Sequence, residues 1–122
     1  MEDTVGMPTR QHFRDQLIAL EGQALGALDI VVEQLDRALE ALEQKDSELA
    51  TFVIADDDRV DGRYLEVHQG ILSLLALQAP VATDLRLVAA LLHVIKHAER
   101  MGDQCVNIAK LIPLVGNEPP VV

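Results

Sequence analysis

LALQAPVATDLRLVAALLHVIKHAERMGDQCVNIAK, residues Leu75 to Lys110, decides the fold. It holds a turn followed by one long helix. Gln78-Ala79-Pro80 punctuates the chain, and Pro80 suits a helix start because its missing N–H would be unpaired there anyway. Beyond it the apolar stripe Val81, Leu85, Val88, Leu92, Ile95, Glu99, Gly102, Val106 and Ala109 steps by four and three, as a heptad does. Pro113, Gly116, Pro119 and Pro120 end it, which predicts a helix over 81–112 and an irregular tail over 113–122. Upstream of the turn, Leu49, Val53, Asp57, Val60, Tyr64, Val67, Ile71 and Leu74 mark a helix over 46–78. Its start is written in Lys45-Asp46-Ser47-Glu48, where Asp46 can cap free amides and Glu48 suits a first turn. A further helix, over 9–44, begins after Pro8-Thr9 and carries Phe13, Leu17, Leu20, Ala24, Leu28, Val31, Leu35, Leu39 and Leu42. That stripe repeats every eleven residues, near the period of an unstrained helix, and implies a straight rod of about 50 Å. Gly22 and Gly26 lie inside it, each costing about 1 kcal/mol relative to Ala. Connections this short make neighbours antiparallel. The expected fold is all-α, an up-down-up three-helix bundle forming one domain over 1–122.

Composition agrees. Apolar residues make up 49% of the 122 residues but aromatics only 2%, so the core must be aliphatic, which suits long helices better than a sheet sandwich. A net charge of −10 argues against nucleic acid, against an anionic membrane and against direct binding of an anion without a bridging cation. No apolar run approaches the roughly 20 residues of a spanning helix. The first ten residues, MEDTVGMPTR, lack the basic and apolar blocks of a signal peptide. The single cysteine, Cys105, excludes an internal disulfide and reads as a small buried hydrophobe. A cytoplasmic protein is expected.

Two carboxylate pairs mirror each other across the Pro80 turn: Asp57/Asp61 and Glu99/Asp103. Each is spaced i, i+4, one turn apart on one helix face. In an antiparallel pair of helices, Asp57 then meets Asp103 and Asp61 meets Glu99, at one level. Acids so close repel by about 4 kcal/mol per pair at about 4 Å and an effective dielectric of about 20, unless protons or a cation intervene. Asp57 and Glu99 fall on the apolar stripes, which means either a polar layer or a register one residue off. Two readings stand: a layer salt-bridged by Arg59, Arg63 and Arg100, or a metal site. All-oxygen ligands suit hard ions such as iron(III), manganese or magnesium, with zinc a further candidate.

Gln78, the run Pro80-Val81-Ala82-Thr83-Asp84-Leu85-Arg86, the run Glu99-Arg100-Met101-Gly102-Asp103 and Asn107-Ile108-Ala109 resemble the signature of the PhoU family of phosphate-transport regulatory proteins. Asp57-Asp58-Arg59-Val60-Asp61 resembles its other acidic motif, and the likeness runs from about Arg10 to Leu111. It implies a three-helix bundle as a repeating unit, present twice in a typical member, with acidic motifs that hold iron or zinc. It also implies a cytoplasmic regulator acting on a phosphate ABC transporter and its sensor histidine kinase, damping the phosphate-starvation response. This chain has one repeat, so it is a fragment or a member that pairs with another copy, and a homodimer is the simplest closed form. His97 stands where an acid or amide is expected and Tyr64 where another acid is common; both weigh against a multinuclear cluster more than against metal binding.

His93 and His97 share a ligand-pair spacing but lie off the Glu99 face, so an exposed pair, or one buried between chains, is expected rather than a second metal site; His12 and His68 read as surface residues. Asp84 and Arg86 read as capping and salt-bridging residues, with Thr83 able to cap a late start. The family likeness adds Asp84, Arg86 and Arg100 as partner-binding candidates. Two alternatives remain: a helical dimerisation module with a structural polar layer, and a di-iron carboxylate enzyme. The enzyme needs Glu-x-x-His ligands, and no glutamate here has a histidine three residues on. No Gly-rich phosphate loop or nucleophile signature is present, so no catalytic role is expected.

Overall fold

The computed structural model describes residues 10–77 and 79–115. Every element among them is helical: α1 over Arg10–Gln44, α2 over Ser47–Asp56, α3 over Asp58–Leu77 and α4 over Ala82–Val115. The expected start at Thr9, Gln78 of the second turn and the tail beyond Val115 lie outside the described residues. Among the described residues, no helix is long and apolar enough to cross a membrane. Pro113 does not end α4 but lies in its final turn.

The first turn is closed by backbone geometry. Lys45 takes a positive φ of 54°, the Asp46 N–H reaches back to the Ala41 carbonyl at 2.9 Å, and the Lys45 N–H to that of Leu42 at 3.4 Å. These bonds satisfy carbonyls that a helix end leaves open. Asp46 then caps α2, its Oδ1 accepting from the amides of Glu48 and Leu49, both at 3.1 Å. At the second turn the buried Asp84 reaches back to the Val81 N–H at 3.2 Å and takes Arg10 Nη1 at 2.6 Å. That is half of a capping box, tied to the far end of the chain. Thr83 lies inside the helix and Pro80 before it.

The expected helix over 46–78 is two segments, α2 and α3, interrupted at Asp57. There the N–H bonds three residues back, to Ile54, at 3.4 Å, and the carbonyl accepts from both Val60 and Asp61, at 3.1 and 3.2 Å. The break falls in Asp56-Asp57-Asp58, a run of residues that compete with helix for local bonds.

Contacts pair α1 with α3 in opposite order: Leu20 meets Gly70, Gly26 meets Arg63 and Gln34 meets Asp57. Against α4 the order runs the same way, Arg10 with Asp84 and Gln34 with Gly102. The core changes character along this axis. One end is bulky, with Phe13, Leu17, Leu20, Ile71, Leu91 and Ile95. The other is small, with Ala38, Ala41, Ala50 and Ala109 around Val53 and Ile112.

That change explains the first of two register corrections. In α1 the buried series is Ala24, Ala27, Val31, Gln34, Ala38 and Ala41, whereas Leu35, Leu39 and Leu42 of the expected stripe are exposed. Alanines let the helices approach closely, and leucines there would overpack by about 1–3 kcal/mol. In α4, Val88, Ile95, Gly102 and Ala109 are buried as expected. The alternate positions are one residue earlier, at Asp84, Leu91, Ala98 and Cys105 instead of Leu85, Leu92, Glu99 and Val106. Val81, also in the expected stripe, is exposed.

Asp46→Ala removes both amide acceptors of the α2 cap and is expected to cost about 1 kcal/mol. Urea unfolding followed by circular dichroism measures it, with an unchanged slope marking a pure stability effect.

Candidate functional site

The break at Asp57 and the passing face of α4 bring the four predicted carboxylates into one patch. Asp57 leans across Gly102, so a Cβ built on that glycine would lie 2.9 Å from Asp57 Oδ1. The same oxygen accepts from Gln34 Nε2 at 3.2 Å. Asp57, Asp61 and Glu99 are half-buried and Asp103 is exposed. Glu99 flanks the α4 core series, beside Ala98 and Gly102.

The electrostatics show the four acting on one another. Burial lifts the Asp57 carboxyl above the usual carboxylate range; the Gln34 amide pulls it down, and repulsion from Asp61, Asp103 and Asp58 pushes it up. Burial also lifts Glu99, followed by repulsion from Asp61 and Asp103, a hydrogen bond to Asp61 that favours the protonated form, and the charge of Asp57. Of the three arginines that a salt-bridged layer would use, Arg59 is paired elsewhere and Arg100 is exposed on α4. Arg59 bridges Asp56 at 3.1 Å and Glu33 at 3.6 Å, and Arg63 lies against Gly26.

Whether these residues suit a cation can be judged from their atoms. The donors are all oxygen, the choice of a hard ion. Among the described residues, no group of three acidic, histidine or cysteine side chains is close enough to hold a metal ion in the arrangement seen. A coordinating form therefore needs side-chain rotation, for which the half-exposed Asp61 and Glu99 and the exposed Asp103 have room.

Gln34 is the participant that sequence reasoning missed. It is fully buried, its Nε2 serves Asp57, and its Oε1 has no hydrogen-bond partner. Buried amide oxygens are rarely left so. The signal was a glutamine on the apolar series Val31, Gln34, Ala38, which the eleven-residue stripe passed over.

The other candidates separate. Of the partner-binding candidates, Arg86 and Arg100 are exposed on α4, while Asp84 is buried in its ion pair with Arg10. His93 and His97 form an exposed pair with ring centroids 6.3 Å apart. His68 is half-buried and stacks on Tyr64 at 5.8 Å, and His12 is exposed. Cys105 is buried, and burial, then the charge of Asp57, pushes its thiol up, away from reactivity.

Comparison with known proteins agrees with the family likeness of the sequence. The PhoU domain matches residues 25–112. A phosphate-specific transport system accessory protein PhoU homolog from Aquifex aeolicus is 35% identical over 99 residues, which is 81% of this chain and 45% of that protein. The homolog from Clostridium acetobutylicum is 33% identical over 90% of this chain and 51% of its own length. The Serratia marcescens accessory protein PhoU is 35% identical over 80% and 40%. The chain thus spans about half the length of the curated relatives it matches. No solved structure matches it. With the family's domain covering Leu25 to Ile112, both acidic motifs included, the chain belongs to the PhoU family.

Proposed function

We propose that this chain is a regulatory unit of phosphate transport, a cytoplasmic adaptor between a phosphate ABC transporter and a sensor histidine kinase, acting to damp the phosphate-starvation response. The observation that carries this reading is the domain match over residues 25–112, together with relatives named as accessory proteins of phosphate-specific transport. Those names describe accessory proteins, not enzymes, and the chain is read likewise. The unit is a single up-down-up bundle, a reading supported by the contact order of α1 with α3 and with α4. Arg86 and Arg100 supply exposed charge for docking. We take its working form to be a pair of copies, a reading supported by the large aliphatic side chains that α1 and α4 leave exposed, among them Leu25, Val32, Leu39 and Met101.

In the same reading Asp57, Asp61, Glu99 and Asp103 hold one hard cation: iron, manganese or magnesium, with zinc as a further candidate. The lifted carboxyls of Asp57 and Glu99 support it, since a cation relieves the same repulsion that protons do. A purely structural polar layer is the competing reading, and the Gln34–Asp57 hydrogen bond is its best support.

Three measurements test this. Deleting the gene in its native host should derepress phosphate-regulated genes when phosphate is plentiful; unchanged expression would remove the regulatory reading. Titrating purified protein with each cation should raise the melting temperature with occupancy, by the equivalent of about 2.7 kcal/mol at 100-fold excess over Kd. Alanine at both Glu99 and Asp103 should abolish that gain while leaving helicity intact, whereas equal melting of metal-replete and chelated protein would leave the polar layer. The third measurement is pH dependence without metal. Since both carboxyls are raised in the folded state, the folded protein holds protons more tightly than the unfolded chain. Their contribution to stability therefore falls as pH rises from the ordinary carboxylate range through the raised values. Asp57→Asn with Glu99→Gln should flatten that fall and raise the melting temperature at neutral pH. Melting curves across the acidic range that keep the wild-type slope would show that the two carboxyls do not titrate as described.

A further inference from the structure

Every large apolar side chain that α1 leaves exposed falls on two seven-residue series: Ile18, Leu25, Val32 and Leu39 on one, Leu35 and Leu42 on the other. A two-series pattern at this period is what one helix presents to another. The bundle does not use it, because its own α1 series (Ala24, Val31, Ala38) lies one residue back, about 100° around the helix. The leucine seam faces the α4 side. At its upper end Ile18 lines a cleft with Thr83 and Leu87, while the opposite flank of α1 is taken by α3 at Gly26–Arg63 and by α2 at Arg37–Asp56.

From Leu87, α4 carries its own seven-residue apolar series through Val94, Met101 and Ile108 to Val115, half-buried or exposed throughout. Since α1 and α4 run in the same direction, the two series stay side by side and make one apolar face. From Ile18 to Leu42 it is about 36 Å long, and two helices about 10 Å apart give it an area on the order of 700 Å², near the ~800 Å² per partner of a stable interface.

Its two edges carry opposite charge. Asp29, Asp36 and Glu43, spaced by seven, line the outer edge of α1; Arg86, His93 and Arg100, also spaced by seven, line that of α4, and all six are exposed. We infer that the α1/α4 face is where a second copy of this chain docks, related by a two-fold axis lying along the bundle, so that the acidic edge of each α1 meets the basic edge of the other copy's α4. An axis across the bundle would set the acidic edges together, and like charge opposes that. Asp29 and Arg100 stand close to one level, since Gln34 lies beside Gly102. The carboxylate patch sits on the α3 side of α4, so docking leaves it open. This inference rests on the reading of the working form as a pair of copies and names the surface that makes the pair.

Sedimentation of the full chain at high micromolar concentration tests it, with circular dichroism as a check on folding. Wild type should sediment as a dimer and Val32→Glu with Leu39→Glu as a helical monomer. Asp29→Arg should weaken dimerisation about tenfold, as two like-charge contacts form by symmetry, and adding Arg100→Glu should restore it. A monomeric wild type overturns the paired form itself. A wild-type dimer that persists in the two-glutamate variant overturns this face. Failure of Arg100→Glu to rescue Asp29→Arg overturns the proposed axis, and this arm stands if the glutamate variant does not fold.

Discussion

Three arms of the chain meet in polar atoms at one level. Gln34 of α1 is fully buried, its amide donates to Asp57 at the α2–α3 break, and Gly102 of α4 stands where any larger residue would press on both. A side chain at 102 would begin 2.9 Å from one partner and 3.2 Å from the other. The glycine is there for space, not for backbone freedom. An unpaired buried carbonyl such as Gln34 Oε1 carries a desolvation cost of about 1–3 kcal/mol, which the aliphatic packing on either side offsets. The level also divides the core, with bulky side chains toward Phe13 and alanines toward Ala41. A slip of one residue in any arm would carry Gln34 or Asp57 into one of those apolar regions, so the layer fixes the register of all three.

Much of this was legible in the sequence. Turn chemistry located the helix ends, because Asp46 and the Pro80 turn act locally and depend little on what packs around them. The carboxylate patch followed from i, i+4 spacing and the turn position, both insensitive to a register error of one. What failed was the choice between adjacent positions within a stripe. Leu35, Leu39 and Leu42 outrank Gln34, Ala38 and Ala41 on any scale of hydrophobicity, yet the smaller residues are inside. Hydrophobicity ranks the transfer of one side chain, whereas the separation of two helices is set by the volumes that face each other. The sequence pattern contains no direct record of that separation. Gln34 was invisible for the same reason, and so was the interruption at Asp57, where a residue within reach of helical angles (φ −62°, ψ −21°) changes its hydrogen-bond partner instead of its direction.

Charge on α4 is sorted by flank. Glu99 and Asp103 belong to the side that meets α3, while Arg86, His93 and Arg100 lie toward the outer edge. A chain with a net charge of −10 thus keeps a strip of positive and titratable side chains on one helix. The segregation follows from spacing: steps of seven hold Arg86, His93 and Arg100 in line on one flank, while the step of four sets Glu99 and Asp103 together on the other.

The interruption at Asp57 has a mechanical meaning. An unbroken helix resists bending because every turn is held by bonds four residues apart, but at Asp57 one such bond is replaced by a longer one to Ile54. Below it, α2 is a stiff arm of ten residues, roughly 15 Å long. A swing of about 10° at the joint would carry its far end by roughly 2.6 Å. That end is the tight turn at Lys45 and Asp46, bonded to the last carbonyls of α1. The core it would slide over is built mostly of alanine, around Val53 and Ile112. The residue at the joint is also a carboxylate that burial lifts above its usual range and that Asp61, Asp103 and Asp58 push further. A small adjustment of charge there works on the short end of a lever whose long end is the opposite pole of the molecule.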